Sequence, residues 1–556
     1  MSVTYAVPGV YVEERNARAL SIQSGETAVP VFIGHFNSID GTPLKGCVPV
    51  QSWLAFTKRF GASDTLTIDV SNNEVKNKMP HLGSYSVRLY FENGGGPCYV
   101  LHLSGQDETQ LNTMAEAIEQ CPDITLLVWC ERTEKDVEVY QKLGTLLGAS
   151  ATSGGNRGTF LLVDAQATDV QNKDFIVPQV TQPTQVATYF PALATGYVRE
   201  VSDVGVTVTG ITEEQEDLTK VSMPDYKLEN LTLAMLKRAI ALWESEAKRE
   251  EKAGQAAKTN AETLKKIKKE LSAKNLAAEK KIDDFTDVQK NTMTEAGLSD
   301  NDLNKLTLTT LQNKIDFFQK EGKKFKEAAE KSNEKAKYWQ TTYNTCHAAA
   351  QQQIAGPVIV RASAAMAGVI ARVDRERGVW KAPANVALVG VTELISIPKG
   401  GVSQPIRLDD AINEKLVDKK VNAIRTFRGQ GVMVWGACTM AEPSKTAWRY
   451  ISVRRLFNTV ERDAHATLRT MVFEPNNAPT WEAVRSALDH YLFALWRKGA
   501  LQGETPAQAY FVQIGLGVTM TQDDIDNGRM IIKAGLAAVR PAEFIVLQLT
   551  QDMVPS

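Results

Sequence analysis

Histidines, cysteines, one run of alternating charges and one run of glycines are the residues of this chain best suited to catalysis or ligand binding. His35, His81, His102, His347, His465 and His490 are far apart in sequence. None stands in the Gly-x-Ser-x-Gly or Cys-His context that pairs a nucleophile with its base. Asp374-Arg375-Glu376-Arg377 has the residue types for general acid work, yet alternating charges ahead of a tryptophan loop read better as a salt-bridged anchor. Cys47, Cys98, Cys121, Cys130, Cys346 and Cys438 form no Cys-x-x-Cys pair and have no paired histidines nearby, which argues against zinc and for a reduced compartment. After Asn93, the glycines 94–96 are followed by neither a helix start nor a Lys-Ser/Thr pair, so they read as a turn rather than a phosphate cradle. Cys130-Glu131-Arg132-Thr133 stands where a dinucleotide site requires a Gly-rich turn. Trp380, Trp435 and Trp448 read as packing residues rather than a ligand cage. The expectation is no catalytic, cofactor-binding or metal-binding residue, and no enzyme.

The elements around these residues suit a globular protein of several domains. The 556 residues carry 63 basic and 65 acidic side chains, a net charge of -2 that gives no general pull toward nucleic acid or anionic membrane. No secretory signal or membrane-length apolar run is present, so synthesis in the cytoplasm is expected. Residues 27–36 read as a buried strand and 86–103 as a hairpin-like pair turning at the glycines. Residues 123–191 alternate apolar runs with a helix at 134–147, as in a small α/β layer with buried parallel strands. From about 228 to 353 the chain becomes rich in Lys, Glu, Ala and Asn. Leu264, Ile267 and Leu271, then Ile315, Phe318 and Phe325, recur there at helical spacing. This is a helical hairpin or small bundle with a narrow seam, a break near 297–300 and a solvated outer face. Helices follow at 361–372, 409–417, 452–470 and 481–497, and strands at 386–391, 422–427, 431–436, 509–517, 528–536 and 543–549.

Both chain ends are strand-prone, at residues 5–14 and 540–551. An apolar strand at a terminus invites aggregation unless a sheet receives it, either in the same molecule or in a neighbour by strand addition.

In order along the chain come PGVYVEE (8–14), FENGGGPCYV (91–100), ARVDRERGVWKAPAN (371–385) and NAIRTFRGQGVMVWGACT (422–439). WRYISVRRLF (448–457), FEPNNAPTW (473–481), GALQGETPAQAYFV (499–512) and DNGRMIIKAGLAAVRPAEFIVL (526–547) complete the series. In these blocks the chain resembles the contractile tail sheath proteins of phages, R-type bacteriocins and extracellular injection systems. It departs from them at Cys438, where the family has an arginine, and at Ala362-Ser363-Ala364, where it has Pro-Ser-Gly. The resemblance implies an α+β, α/β multidomain fold whose core is built from the N- and C-terminal parts, with an inserted α/β domain and a mainly α-helical insertion. The implied boundaries are an arm at 1–24, core at 25–105, outer domain at 106–203, helical insertion at 204–356, outer domain again at 357–395, core at 396–540 and an arm at 541–556. It further implies a subunit that polymerises helically around an inner tube and contracts to drive that tube through a target envelope. Strand exchange between copies would use Val7, Val10, Tyr11, Val12, Phe544, Ile545, Val546, Leu547 and Leu549, with hinges at 15–25 and 526–540. Arg454, Arg455, Arg462 and Arg469 are candidate tube contacts, with internal pairing to Glu461 and Asp463 as the alternative. Expected partners are other copies, the inner tube, and baseplate and terminal cap proteins, with no cofactor, no nucleic acid, no membrane insertion, and release by lysis. A minor sheath ring component and, further off, a cytoplasmic α/β enzyme are the alternatives.

Overall fold

Uninterrupted runs of Val, Ile, Leu and Phe are what a parallel strand buried on both faces requires, and four such runs form the centre of the molecule. The computed structural model describes residues 20–543 except 41, 73, 148, 151–154, 157, 170–173, 212–214, 222, 224–226, 229–230, 274–285, 297, 300–302, 304, 354–355 and 399–401. Along the chain lie β1 (Pro30–Gly34), β2 (Cys47–Val50), β3 (Asp64–Asp69), β4 (Glu74–Met79), α1 (Gly83–Glu92), β5 (Cys98–His102), α2 (Glu108–Glu119), β6 (Leu126–Trp129) and α3 (Asp136–Gly144). Next come β7 (Phe160–Asp164), β8 (Val186–Phe190), β9 (Ala192–Thr195), β10 (Val201–Thr209), α4 (Leu233–Ser272), α5 (Asp287–Glu295) and α6 (Leu308–Gln353). The last part holds β11 (Val358–Val360), α7 (Ala362–Arg377), β12 (Val386–Ala387), β13 (Val391–Ser396), α8 (Asp410–Asp418), β14 (Val421–Phe427) and β15 (Gly431–Val434). It ends with α9 (Ile451–Leu468), α10 (Ala478–Arg497), β16 (Tyr510–Gln513) and β17 (Lys533–Leu536).

A nine-stranded sheet has the order β12-β15-β14-β8-β7-β6-β1-β5-β2. The six strands from β14 to β5 are parallel, and every residue of β1, β6, β7 and β8 is buried. Helices α1 and α7 cover one face, joining Phe32, Leu89, Tyr90, Leu162, Met366 and Ile370 in one core. Helices α2 and α3 cover the other through Leu111, Ile118, Val139 and Leu143. The small residues of α7 permit close approach: a Cβ on Gly368 would lie 2.4 Å from the Tyr90 carbonyl oxygen.

Two expectations are corrected here. The first half of the supposed hairpin at 86–103 is α1, because Val87, Leu89 and Tyr90 bury a helical face against α7, and tertiary packing overrides their strand propensity. The boundary at 105 also falls away. Strands from 25–105, 106–203 and 396–540 hydrogen-bond in one sheet, so those segments share a single body.

The helical projection stands on a second sheet of β3, β4, β10 and Leu231–Thr232, which therefore borrows residues 64–79 from the N-terminal part. Helices α4 and α6, of 40 and 46 residues, run antiparallel for about 60 Å, as the facing pairs Gly254–Gly322 and Lys268–Gln312 require. Trp243 and Trp339 pack at the base, and Leu264, Ile267, Leu271 and Ile315 form the distal seam. The chain leaves the body along β9 and returns along β11, its antiparallel neighbour. The two ends of the insertion are thus already adjacent.

At the carboxyl edge of the main sheet Arg361 is 2% exposed. It donates to Asp136 and Tyr140 and, at 2.6 Å, to the Glu131 carbonyl oxygen, with Asp164 at 3.9 Å. Asp164 accepts from the Ser363 amide and hydroxyl at 3.0 and 2.6 Å, and burial raises its pKa. Replacing Arg361 by alanine leaves buried carboxylates uncompensated and is expected to cost about 3–5 kcal/mol, read as a lower denaturant midpoint.

Candidate functional site

In a chain whose ends are expected to reach other copies, the places where those ends leave the body are the sites of interest. Both are on α9. Arg455, 3% exposed, forks onto Asp374 of α7 at 2.8 and 2.6 Å and also donates to the Thr27 carbonyl oxygen at 2.9 Å. The Thr27 hydroxyl donates to Asp374 at 2.6 Å. Two turns along α9, the Asp463 carboxylate accepts from the Gly25 amide at 3.3 Å and from the Tyr491 hydroxyl at 2.8 Å. A Cβ on Gly25 would lie 3.3 Å from that carboxylate, so glycine suits the close approach. Ile22 packs on the cluster of Leu456, Val460 and Leu492. The amino end is therefore rooted from residue 22 onward.

The carboxyl end is rooted at the other end of the helix. Glu543 accepts from Arg449 at 2.6 Å, from the Tyr450 hydroxyl at 3.3 Å and from the Cys438 thiol at 3.2 Å. Tyr450 is the N-cap of α9. Burial first, and Glu543 second, push the Cys438 thiol up to about 11, so it stays protonated and can donate. Cys438, the residue that departs from the family's arginine, thus keeps a donor at that position. The two roots lie about 20 Å apart along one rigid helix.

Of the four candidate arginines, three pair inside the subunit, Arg462 with Asp463 at 3.6 Å. Arg454 donates to Asn458 and Glu461 at 2.8 and 3.1 Å and lies 4.2 Å from the Trp448 ring centre, and Arg455 is spent on Asp374. Their burial corrects the expectation that they face a tube. Arg462 and Arg469 border an open groove. The run at 374–377 is an anchor, as its alternating charges suggested. Residues 526–540 contain β17, paired with β16, so that expected hinge is a hairpin strand instead. Val7, Val10, Tyr11, Val12, Phe544, Ile545, Val546, Leu547 and Leu549 lie outside the described residues.

Three histidines that sequence separates meet in space. His35 stacks on His81 at 4.0 Å and meets His102 edge-on at 4.8 Å. Beside them the Glu131 carboxylate accepts the amides of His35, Leu82 and Gly83 at 3.0, 2.8 and 3.1 Å. Glu131 sits near the carboxyl ends of β1 and β6, where the strand order reverses and a sheet of this kind binds ligands. Its carboxylate occupies the anion position at the start of α1. The nearby cavity bordered by Asp164 and Arg361 encloses about 30 Å³, room for one water. Among the described residues no group of three or more His, Cys, Asp or Glu is arranged to hold a metal. Nor is any helix among them long and apolar enough to cross a membrane.

Residues 444–551 match the phage tail sheath C-terminal domain family. Over 146 residues the chain is 27% identical to a tail sheath protein of Burkholderia phage BcepMu, covering 25% of this chain and 29% of that protein. The chain thus spans under a third of the curated relative it matches. It is similar over 99% of its length to all of a chain in the contracted helical sheath of the anti-feeding prophage, at 28% identity and a TM-score of 0.58. It is similar over 99% of both chains to the contracted sheath complex of PVC, an extracellular contractile injection system, at 27% identity and a TM-score of 0.52.

Burial, then the neighbours His81 and His102, hold the His35 pKa at about 4, below its ordinary 6.5. Burial likewise lowers His102. The unfolded chain then binds more protons between those values, so this stability is complete above about pH 6.5 and is lost as the pH falls toward 4. Melting temperatures of wild type and His35→Gln are expected to differ in their pH slope across that window, the variant losing less on acidification. At the arm roots, Asp374→Ala leaves Arg455 buried and unpaired and should cost about 3–5 kcal/mol. Glu543→Gln weakens a partly exposed contact and should cost under about 1 kcal/mol. Hydrogen exchange at residues 540–543 should nevertheless quicken in the second variant.

Proposed function

We propose that this contractile tail sheath protein polymerises as stacked rings wound helically around an inner tube and contracts by rearrangement of its subunits, driving the tube through a target envelope. The observation that supports the reading is the rooting of the amino end on α9 and of the carboxyl end at its N-cap, in a chain similar over 99% of its length to subunits of sheaths solved in the contracted state. Residues 7–12 and 544–549 add strands to neighbouring copies. Each added strand contributes backbone hydrogen bonds at a net ~0.5–1.5 kcal/mol apiece, together with burial of Val, Tyr, Ile and Phe. One such junction is modest. Repeated around a ring and along a polymer, many hold copies together by multivalency while the bodies turn.

With residues 22–27 fixed on α9, the amino-side hinge narrows to residues 15–21. Arg469 is the remaining candidate for contact with the tube. Contraction exchanges loose lateral contacts for larger buried interfaces, so a one-shot spring works without nucleotide. The particle, a phage tail or tail-like device with baseplate and terminal cap proteins at its ends, assembles in the cytoplasm and leaves the cell by lysis.

Negative-stain microscopy of the purified protein is expected to show hollow tubes or stacked rings. Only compact particles across a range of salt would sink the reading. Deleting residues 1–15 should abolish tubes with the melting temperature unchanged, and tubes that persist would rule out strand exchange through the amino arm.

A further inference from the structure

The cysteines are scattered in sequence, but the fold brings two of them to one place. Cys98, Cys130 and Cys346 are buried, and Cys438 donates to Glu543. Cys47 and Cys121 are only half-buried. Cys47 opens β2, the strand that ends the order of the main sheet and hydrogen-bonds to β5 on one side. Alternation along β2 sends Val48 and Val50 into the core under α1 and α7, and Cys47 to the opposite face, against the cluster that α2 covers.

On that face the Cys47 thiol donates to the Ala117 carbonyl oxygen of α2 at 3.5 Å. Cys121 lies four residues beyond Ala117, one turn further along the same side, and its amide still donates to the Ile118 carbonyl oxygen at 3.1 Å. Tyr99 of β5 borders the place and donates to Asp123 at 3.5 Å. Burial first, then the neighbouring Cys121, with which it shares a hydrogen bond, push the Cys47 thiol up to about 12. Two thiols in hydrogen-bond contact are within side-chain rotation of a covalent bond.

We propose that Cys47 and Cys121 form a dithiol–disulfide couple, which a low-molecular-weight disulfide oxidises to a covalent staple between edge strand β2 and the end of α2. Cys121 sits among the exposed Gln120, Pro122 and Asp123, so its thiolate meets the reagent first. It attacks one sulfur of the reagent, forming a mixed disulfide and expelling one small thiolate. Cys47, protonated at neutral pH, is the resolving partner rather than the first nucleophile. As it gives up its proton, its sulfur attacks the Cys121 sulfur and expels the second small thiolate. Two protons leave the protein, its two cysteines are oxidised, and the reagent is reduced to two thiols. A reducing compartment keeps the pair as thiols, and an oxidising medium joins them. The margin of a sheet is where foreign strands add, and the staple closes this one. The chemistry stands whether or not the chain polymerises.

The purified 556-residue chain, native and freed of reductant, is incubated with glutathione disulfide, and its remaining thiols are blocked and counted by mass spectrometry. The expected product has lost two of its six free thiols and yields, without reduction, a peptide pair joining Cys47 to Cys121 within a single chain. Lasting glutathione adducts on either residue, a link to another cysteine or to another copy, or six unreacted thiols would overturn the couple. Hydrogen exchange at residues 47–50 should slow about tenfold or more on oxidation and recover on reduction. Unchanged exchange in the linked chain would overturn the staple. In Cys47→Ser the reagent should leave a lasting glutathione adduct on Cys121, a first nucleophile deprived of its partner. Absence of that adduct would overturn the order of attack.

Discussion

The pair Arg455–Asp374 is the interaction on which the rest of the molecule depends. Guanidinium and carboxylate side chains are 4% and 5% exposed, and they join α7 from the sheet face, α9 from the carboxyl-terminal part and Thr27 from the amino end. Three segments separated by 81 to 428 positions meet at one bidentate contact. Such a pair adds little net stability over an apolar substitute, but breaking it strands a buried charge. Its effect is to fix geometry: Thr27 is held in one place between α7 and α9. Asp463 on α9 and Arg449 and Tyr450 just before it then hold the two ends of the described chain, at Gly25 and Glu543.

The projection illustrates a second constraint. An insertion of about 160 residues is tolerated in a close-packed body only if its ends meet, because loop closure then costs little. β9 and β11 supply that meeting by pairing with each other. The long helices α4 and α6 bury a narrow seam and expose the rest, so they add a projecting surface without disturbing the main sheet.

At its carboxyl edge the main sheet has the geometry from which other α/β proteins recruit ligands, yet its own side chains fill the crevice. Glu131 takes the amides at the start of α1, and Arg361 takes Asp136 and the carbonyl of Glu131. The same interactions that occupy a binding position cross-link β1, β6, α1, α3 and α7. That edge of the sheet gains rigidity from them.

Much was legible from residue order alone. Apolar runs announced β1, β6, β7 and β8, helical spacing announced α4 and α6, and the series of blocks announced the family, because each signal is local or linear. The alternating charges at 374–377 announced an anchor, though not that Asp374 would hold Arg455. The histidine cluster, the Glu131 plug, the single sheet running through the boundary at 105 and the burial of Arg454 and Arg455 had no local signal. Whether an arginine at 455 faces a partner or the core depends on what lies opposite, and what lies opposite is Asp374, 81 residues away. Propensity misread α1 for the same reason, since the face it buries belongs to α7. Local chemistry determined which elements exist, and the series of blocks carried the family resemblance. Only the tertiary structure decided which charges are spent inside the subunit and which remain for its neighbours, because a charge is free or spent according to distance in space.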